Sequence, residues 1–342
     1  MEISKKKIPY VVSPALNAYL VKYGRHVGSV PEIYRDLSRF SETAPYESPA
    51  GVETLWQSVM YPPGEMAELR PKLTRIYADL KMGGGSAVAR HLDVERIDFG
   101  EFGNSRPFRI RIINRYNDNF DHYYVKSADA SRIYGLELEH ILSPTRINYL
   151  INGDTLIEEH IAGLPGDVFL RDWLHRDEIN EVRIAKEFVK FNERCFIRLL
   201  GDMRAVNYVV DITPDFEEVQ YRVRPIDFDQ QSYEGRQQMY MAQFFSDNQP
   251  MVEMINDLLN EATIEQYRKE ERTLMARRYK VAEHRLGALL DVMSGDELSP
   301  PGKVARLRNE LAEHHHSAAL NSCTTMGEIV RVHIGLLLEG LY

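Results

Sequence analysis

Three oxygen-bearing side chains, Asp202, Asn207 and Asp227, each follow an apolar run and fall where a strand or loop should end. Asp202 and Asn207 stand in an Asp-x-x-x-x-Asn spacing, and Asp227 lies in Pro225-Ile226-Asp227-Phe228-Asp229. Phosphoryl transfer from a nucleotide needs this set of groups. One carboxylate orients the acceptor hydroxyl and takes its proton, while an amide oxygen and a second carboxylate hold magnesium, which prefers hard oxygen ligands. Singly the same residues have plainer uses: Gly201-Asp202 and Asn207 are common turn formers, and Asp227 can cap a strand. The chemistry needs all three together, and with 20 positions between Asn207 and Asp227 it needs a hairpin to join them.

Hydrophobic periodicity supplies that hairpin. Strands are expected over 208–212 and 219–227 around Thr213-Pro214-Asp215, after a long amphipathic helix over 179–200. Further upstream, polar and apolar residues alternate over 96–99, 107–113 and 122–126, with bends at Gly103-Asn104 and Asn117-Asp118-Asn119. Helical spacing returns over 127–142, followed by strands over 147–151 and 155–161 joined by Asn152-Gly153-Asp154, a strong hairpin signal. The order is three strands, one helix, two strands, a flexible crossing at 162–166, then a mainly helical remainder with a linker over 294–302. Residues 1–80 read as helices over 15–23, 30–40, 52–59 and 66–80, broken by Pro45, Pro49, Pro62 and Pro63. Gly83-Gly84-Gly85 lacks the Gly-Lys-Ser/Thr of a phosphate loop and reads as a connector.

A chain of 342 residues with 44% hydrophobic and 27% charged content belongs to the globular class and has room for about two domains, at roughly 150 residues each. With 51 acidic against 42 basic residues and a net charge of −9, no nucleic-acid partner is expected. Cys195 and Cys323 are its two cysteines, each in an apolar helical context, which fits a reducing compartment and core thiols. Pro9, Ser13, Pro14 and Asn17 interrupt the N-terminal segment before a signal-peptide core can form, and no apolar run nears the roughly 20 residues a membrane span needs. These features lead to the expectation of a cytoplasmic protein with no membrane contact. Consecutive residues His314, His315 and His316 point about 100° apart on a helix, so they read as a packed or solvated surface and not as a metal site.

The motifs Gly201-Asp202-Met203-Arg204-Ala205-Val206-Asn207, Ile226-Asp227-Phe228 and Glu159-His160-Ile161-Ala162-Gly163 together resemble the protein-kinase-like superfamily, most of all the aminoglycoside and choline phosphotransferases. The resemblance covers about residues 94–240. It implies an α+β, bilobal kinase-like fold: a helical N-terminal extension over 1–90, an N-lobe over 91–162 with a five-stranded antiparallel sheet and one helix, and a mainly helical C-lobe over 163–342. It further implies ATP and magnesium as cofactors and a hydroxyl on a small molecule or protein as acceptor. Asp202 would be the catalytic carboxylate and Asn207 and Asp227 the metal ligands, with Arg204 offsetting charge on the transferred phosphoryl group. Lys126 would position the nucleotide phosphates, and the backbone of Glu159, His160 and Ile161 would meet the adenine edge. The partner of Lys126 should be a glutamate on the following helix. Glu137 shares the apolar stripe of Ile133 and Ile141, whereas Glu139 has Gly135 and Ser143 at those offsets, so Glu137 is preferred.

The chain also departs from the family pattern. Leu200 stands where a histidine is usual, Phe99-Gly100-Glu101-Phe102-Gly103-Asn104-Ser105 is only an approximate nucleotide loop, Asp229 replaces a glycine, and no Ala-Pro-Glu follows. A rival expectation is therefore a kinase-fold binding or scaffold protein without phosphoryl transfer. Another keeps the nucleotide but transfers AMP.

Overall fold

Alternating burial builds the sheet in the computed structural model, which describes residues 7–26, 32–47, 53–82, 91–101, 104–215 and 219–341. By internal contacts the chain divides into two compact units, and it crosses between them after Asp129, Arg146 and His160.

The sheet unit, residues 6–129 and 147–160, contains helices α1 (Pro14–Lys22), α2 (Tyr34–Leu37) and α3 (Pro63–Met82). Its seven strands are β1 (Glu42–Glu47), β2 (Glu53–Met60), β3 (Leu92–Gly100), β4 (Phe108–Asn114), β5 (Phe120–Ser127), β6 (Tyr149–Asn152) and β7 (Thr155–Glu159). Every pairing is antiparallel, in the order β1-β2-β3-β4-β5-β7-β6. Phe108, Ile110 and Ile112 of β4 and Tyr123 and Val125 of β5 point to one face, where Leu69, Leu73, Ile76 and Leu80 of α3 complete the core. Those four lie 4, 3 and 4 residues apart, the spacing that puts side chains on one helical stripe. Because neighbouring side chains on a strand alternate, Arg109, His122, Tyr124 and Lys126 lie on the opposite, polar face.

Two expectations for this unit are corrected. The sheet has seven strands, not five, and residues 7–82 belong to the sheet unit in place of a separate helical extension. Val52, Leu55, Trp56 and Val59 fit helical spacing, but residues 53–60 form β2, paired with β3 through Trp56↔Gly100 and Ser58↔Asp98. The Ser58 hydroxyl donates to the Asp98 carboxylate at 2.8 Å, and Leu55 is 76% exposed. Val59 reaches the core while Leu55 does not, so a helix here would leave part of its stripe uncovered, and an available strand edge outcompetes local helix propensity. Pro45 sits in β1, the edge strand, where a missing N–H is tolerated. The Gly83-Gly84-Gly85 connector lies outside the described residues, as do Phe102 and Gly103 of the approximate nucleotide loop.

The second unit takes residues 130–146 and everything from 161 on. It holds α4 (Ala130–Leu142), β8 (Leu164–Pro165), α5 (Gly166–Asp172), α6 (Glu181–Arg198), the hairpin β9 (Tyr208–Pro214) and β10 (Val219–Pro225), then α7 (Gln249–Leu258), α8 (Glu261–Val281), α9 (Glu283–Gly295), α10 (Pro301–His314) and α11 (Met326–Leu338). The Asn180 side chain caps α6 by accepting from the Arg183 N–H at 3.1 Å. Helix α6 packs against α7, α8 and β10 through Ile184, Phe188, Phe191 and Cys195, and burial pushes the Cys195 thiol up to about 12. Among the histidines, His315 does find a partner: its Nε2 meets Nδ1 of the wholly buried His333 at 2.9 Å, and His333 Nε2 meets the Phe196 carbonyl at 3.0 Å. The α+β class with a large antiparallel sheet is as expected, and no described helix is long and apolar enough to cross a membrane.

Candidate active site

The end of α6 and the β9–β10 hairpin bring the three chemistry-bearing residues together. Leu199 terminates α6 in the left-handed conformation (φ 52°), and Asp202 adopts it again (φ 58°), as does Ser232 (φ 50°) on the facing loop. Non-glycine residues avoid this region, and held strain of this kind concentrates at functional loops. The two loops cross as a short antiparallel pair: Gly201 N–H donates to the Gln230 carbonyl at 3.2 Å, Ser232 N–H to the Leu199 carbonyl at 2.9 Å, and Leu200 bridges Gln231. Leu200 is fully buried. The polar support comes from Gln231, whose side-chain amide donates to the carbonyls of Arg198 at 2.5 Å and Leu199 at 3.3 Å.

Asp202 is anchored at its backbone by donation to the Met239 carbonyl at 3.1 Å. The Asn207 amide donates to the Asp202 carbonyl at 2.7 Å and to its Oδ2 at 3.3 Å. With its NH2 group so committed, Asn207 has its oxygen left as the acceptor a hard cation requires. One register step later, Ile226 N–H donates to the Asn207 carbonyl at 3.0 Å, continuing the Tyr208↔Pro225 pairing and delivering Asp227 beside the loop. Asp202 Oδ1 is buried with no hydrogen-bond partner. Burial first, then the negative charge of Asp227, push the Asp202 carboxyl up to about 7. Two repelling carboxylates, an orphaned buried oxygen and an amide oxygen fit a divalent cation that keeps water and phosphate oxygens as its other ligands. No group of three His, Cys, Asp or Glu residues suited to a metal occurs among the described residues.

Sequence reasoning missed what holds Asp227. Arg132, in the first turn of α4, places Nη1 2.7 Å from Asp227 Oδ1 and 2.7 Å from Asp229 Oδ1. A cation near a helix N-terminus opposes the helix dipole, so Arg132 at the start of the helix expected over 127–142 was itself a legible hint of nearby carboxylates. Arg204 binds Asp247, with Nε 2.9 Å from Oδ2, a partner no sequence pattern indicated.

The remaining candidates are engaged as follows. In the sheet unit, Lys126 is buried and its Nζ donates to Glu158 Oε2 at 2.8 Å. Glu158 was not foreseen as a partner. Lys126 pairs across the ladder with Leu156, so Glu158, two positions on, shares its face. In the other unit, the wholly buried Glu137 accepts from Arg285 Nε at 2.7 Å. Glu139, expected on the less apolar face, is also buried and ion-paired with Arg198. Helix α4 is buried along nearly its whole length, so a one-stripe argument cannot rank its glutamates. Glu159 uses its N–H on the Asn148 carbonyl at 3.1 Å and its carboxylate on the Asn148 N–H at 2.7 Å. His160 Nδ1 lies 3.1 Å from the Tyr124 hydroxyl, and burial draws its pKa down. Ile161 is buried. Comparison with models of known protein families gives no match to this chain, and no curated protein matches it either.

Proposed function

We propose that the protein is an ATP- and magnesium-dependent phosphotransferase of the kinase-like type, acting on a hydroxyl group. One observation carries the reading: a half-buried, left-handed Asp202 is tied by Asn207 and set beside Asp227. In the metal-free chain its carboxyl is raised to about 7, and a carboxylate so placed can orient a hydroxyl and accept its proton. In this reading Asp202 orients the acceptor and takes its proton, Asn207 and Asp227 hold magnesium, and Lys126 binds nucleotide phosphates. Arg204 contributes countercharge shared with Asp247. His160 and Ile161 offer the base its main-chain contacts, and Glu137 steadies α4, whose first turn holds Asp227. Magnesium, when bound, neutralises phosphate charge and draws electrons from the bond to be broken. Catalysis comes from positioning and charge stabilisation, with no covalent protein intermediate required.

The test combines binding with turnover. ATP with magnesium should raise the melting temperature, since a ligand at 100 times its Kd adds about 2.7 kcal/mol to the folded state. Asp202→Ala should keep that shift and lose ATP consumption. A shift with no turnover in the parent chain would favour a kinase-fold binding or scaffold protein. Mass spectrometry of the products would separate phosphoryl from AMP transfer.

A further inference from the structure

The first turn of α4 is seated directly on the segment that carries Asp227. Ser131 Oγ donates to the Gln231 carbonyl at 2.7 Å, and Arg132 Nη2 reaches the Ile226 carbonyl at 3.4 Å. Gly135 faces the same segment: a Cβ there would lie 3.1 Å from the Cβ atoms of both Gln231 and Phe228. Within this contact Arg132 is 1% exposed, and its Nη1 touches Oδ1 of Asp227 and Oδ1 of Asp229, each at 2.7 Å. The Asp229 N–H adds a bond to the same Asp227 oxygen at 3.1 Å.

Burying a guanidinium is expensive, and placing it in the first turn of a helix adds repulsion from the helix dipole. Its retention there needs the two carboxylates around it. The two acids differ in access: the Asp227 side chain is 34% exposed and that of Asp229 is 9% exposed. Asp229 acts as the buried counter-ion and Asp227 as the accessible ligand.

We infer that Arg132 is a positioning residue that sets the orientation of the Asp227 carboxylate for magnesium, an inference that rests on the phosphotransferase reading. A guanidinium is a planar, rigid fork, and it fixes a carboxylate as the flexible ammonium of lysine does not. Groups that orient a metal ligand from behind typically change metal affinity by about 10- to 100-fold when altered.

The experiment is a water-proton relaxation titration of Mn2+ into the full chain in the presence of ATP, with circular dichroism confirming the fold of each variant. A plain structural role for Arg132, neutralising Asp229, predicts that Arg132→Met combined with Asp229→Asn restores everything. The positioning role predicts that this double variant folds but binds Mn2+ about 10- to 100-fold more weakly. Arg132→Lys keeps the charge and should weaken Mn2+ by about 10-fold, so it decides the matter if the double variant does not fold. Unchanged Mn2+ affinity in a folded double variant, or in Arg132→Lys, overturns the role of Arg132 and leaves the phosphotransferase reading standing. No ternary complex of Mn2+, ATP and the unaltered chain overturns that reading, and the role of Arg132 with it.

Discussion

The side-chain amide of Asn207 closes on the main-chain carbonyl of Asp202 at 2.7 Å, a second bond to an oxygen that already accepts from the Arg204 N–H, across a loop whose aspartate is left-handed. Asn207→Ala removes this donor, while the Asp202 carbonyl keeps the Arg204 N–H at 2.8 Å. The expected loss is about 0.5–1.5 kcal/mol of folding stability. Urea denaturation at fixed pH reads it, and a loss below about 0.5 kcal/mol would show that the loop is held by its other bonds.

Asp202 itself should weaken the fold at high pH. Its folded-state pKa is raised to about 7 while an unfolded aspartate ionises near 4, so between those values the folded chain holds a proton that the unfolded chain has released. The stability it contributes is full below about pH 4 and is lost as pH rises through about 7. In metal-free buffer, Asp202→Asn should equal the parent at pH 4 and exceed it at pH 8 by about 1–2 kcal/mol, discounted from the full shift because the carboxyl is partly solvated. Parallel stability curves for the two chains would refute the burial and repulsion assigned to this carboxylate.

Gly166 tests the floor of the same loop. A Cβ there would fall 2.3 Å from the Tyr208 ring and 2.4 Å from the Ala205 carbonyl oxygen, closer than any side chain allows. Gly166→Ala must move the turn between Asp202 and Asn207 or the start of β9. The expected results are a melting temperature lower by several degrees, equivalent to about 1–3 kcal/mol, and, on the proposed phosphotransferase reading, a reduced kcat for ATP consumption. A variant with full activity and an unchanged melting temperature would mean that the turn accommodates the methyl group.

His333 and His315 give the second unit an acid limit. Burial is the largest cause in both, drawing His333 down to about 3 and His315 to about 4. Unfolded histidine binds its proton near 6.5, so as pH falls from about 6.5 towards 4 the unfolded chain gains protons the folded chain refuses, and stability drops. His333→Gln, which can still donate to the Phe196 carbonyl, should narrow the gap in melting temperature between pH 7 and pH 5. A gap as wide as that of the parent would place the acid sensitivity elsewhere.

Much of the site was legible because its geometry is local. Asp202 and Asn207 share one loop, and the strand periods around Thr213-Pro214-Asp215 already implied a hairpin; the Tyr208↔Pro225 register then sets Asp227 beside that loop. Partners drawn from distant segments were not legible. Arg132 meets Asp227 across 95 residues and Arg204 meets Asp247 across 43, and no periodicity encodes such pairs. Buried ion pairs depend on which charges share a desolvated space, and that is a property of packing.

By itself the amino-acid sequence determined the α+β class, the strand–helix–strand order from β3 to β7, and the residue types at the candidate site, because backbone periodicity and side-chain chemistry are local properties. Tertiary structure decided that residues 53–60 are a strand, since an open sheet edge at β3 offered backbone pairing that a half-covered helical stripe could not match. It also decided that Glu158 lies against Lys126 and that Arg132 stands behind Asp227, because only folding determines which buried charges must neutralise one another.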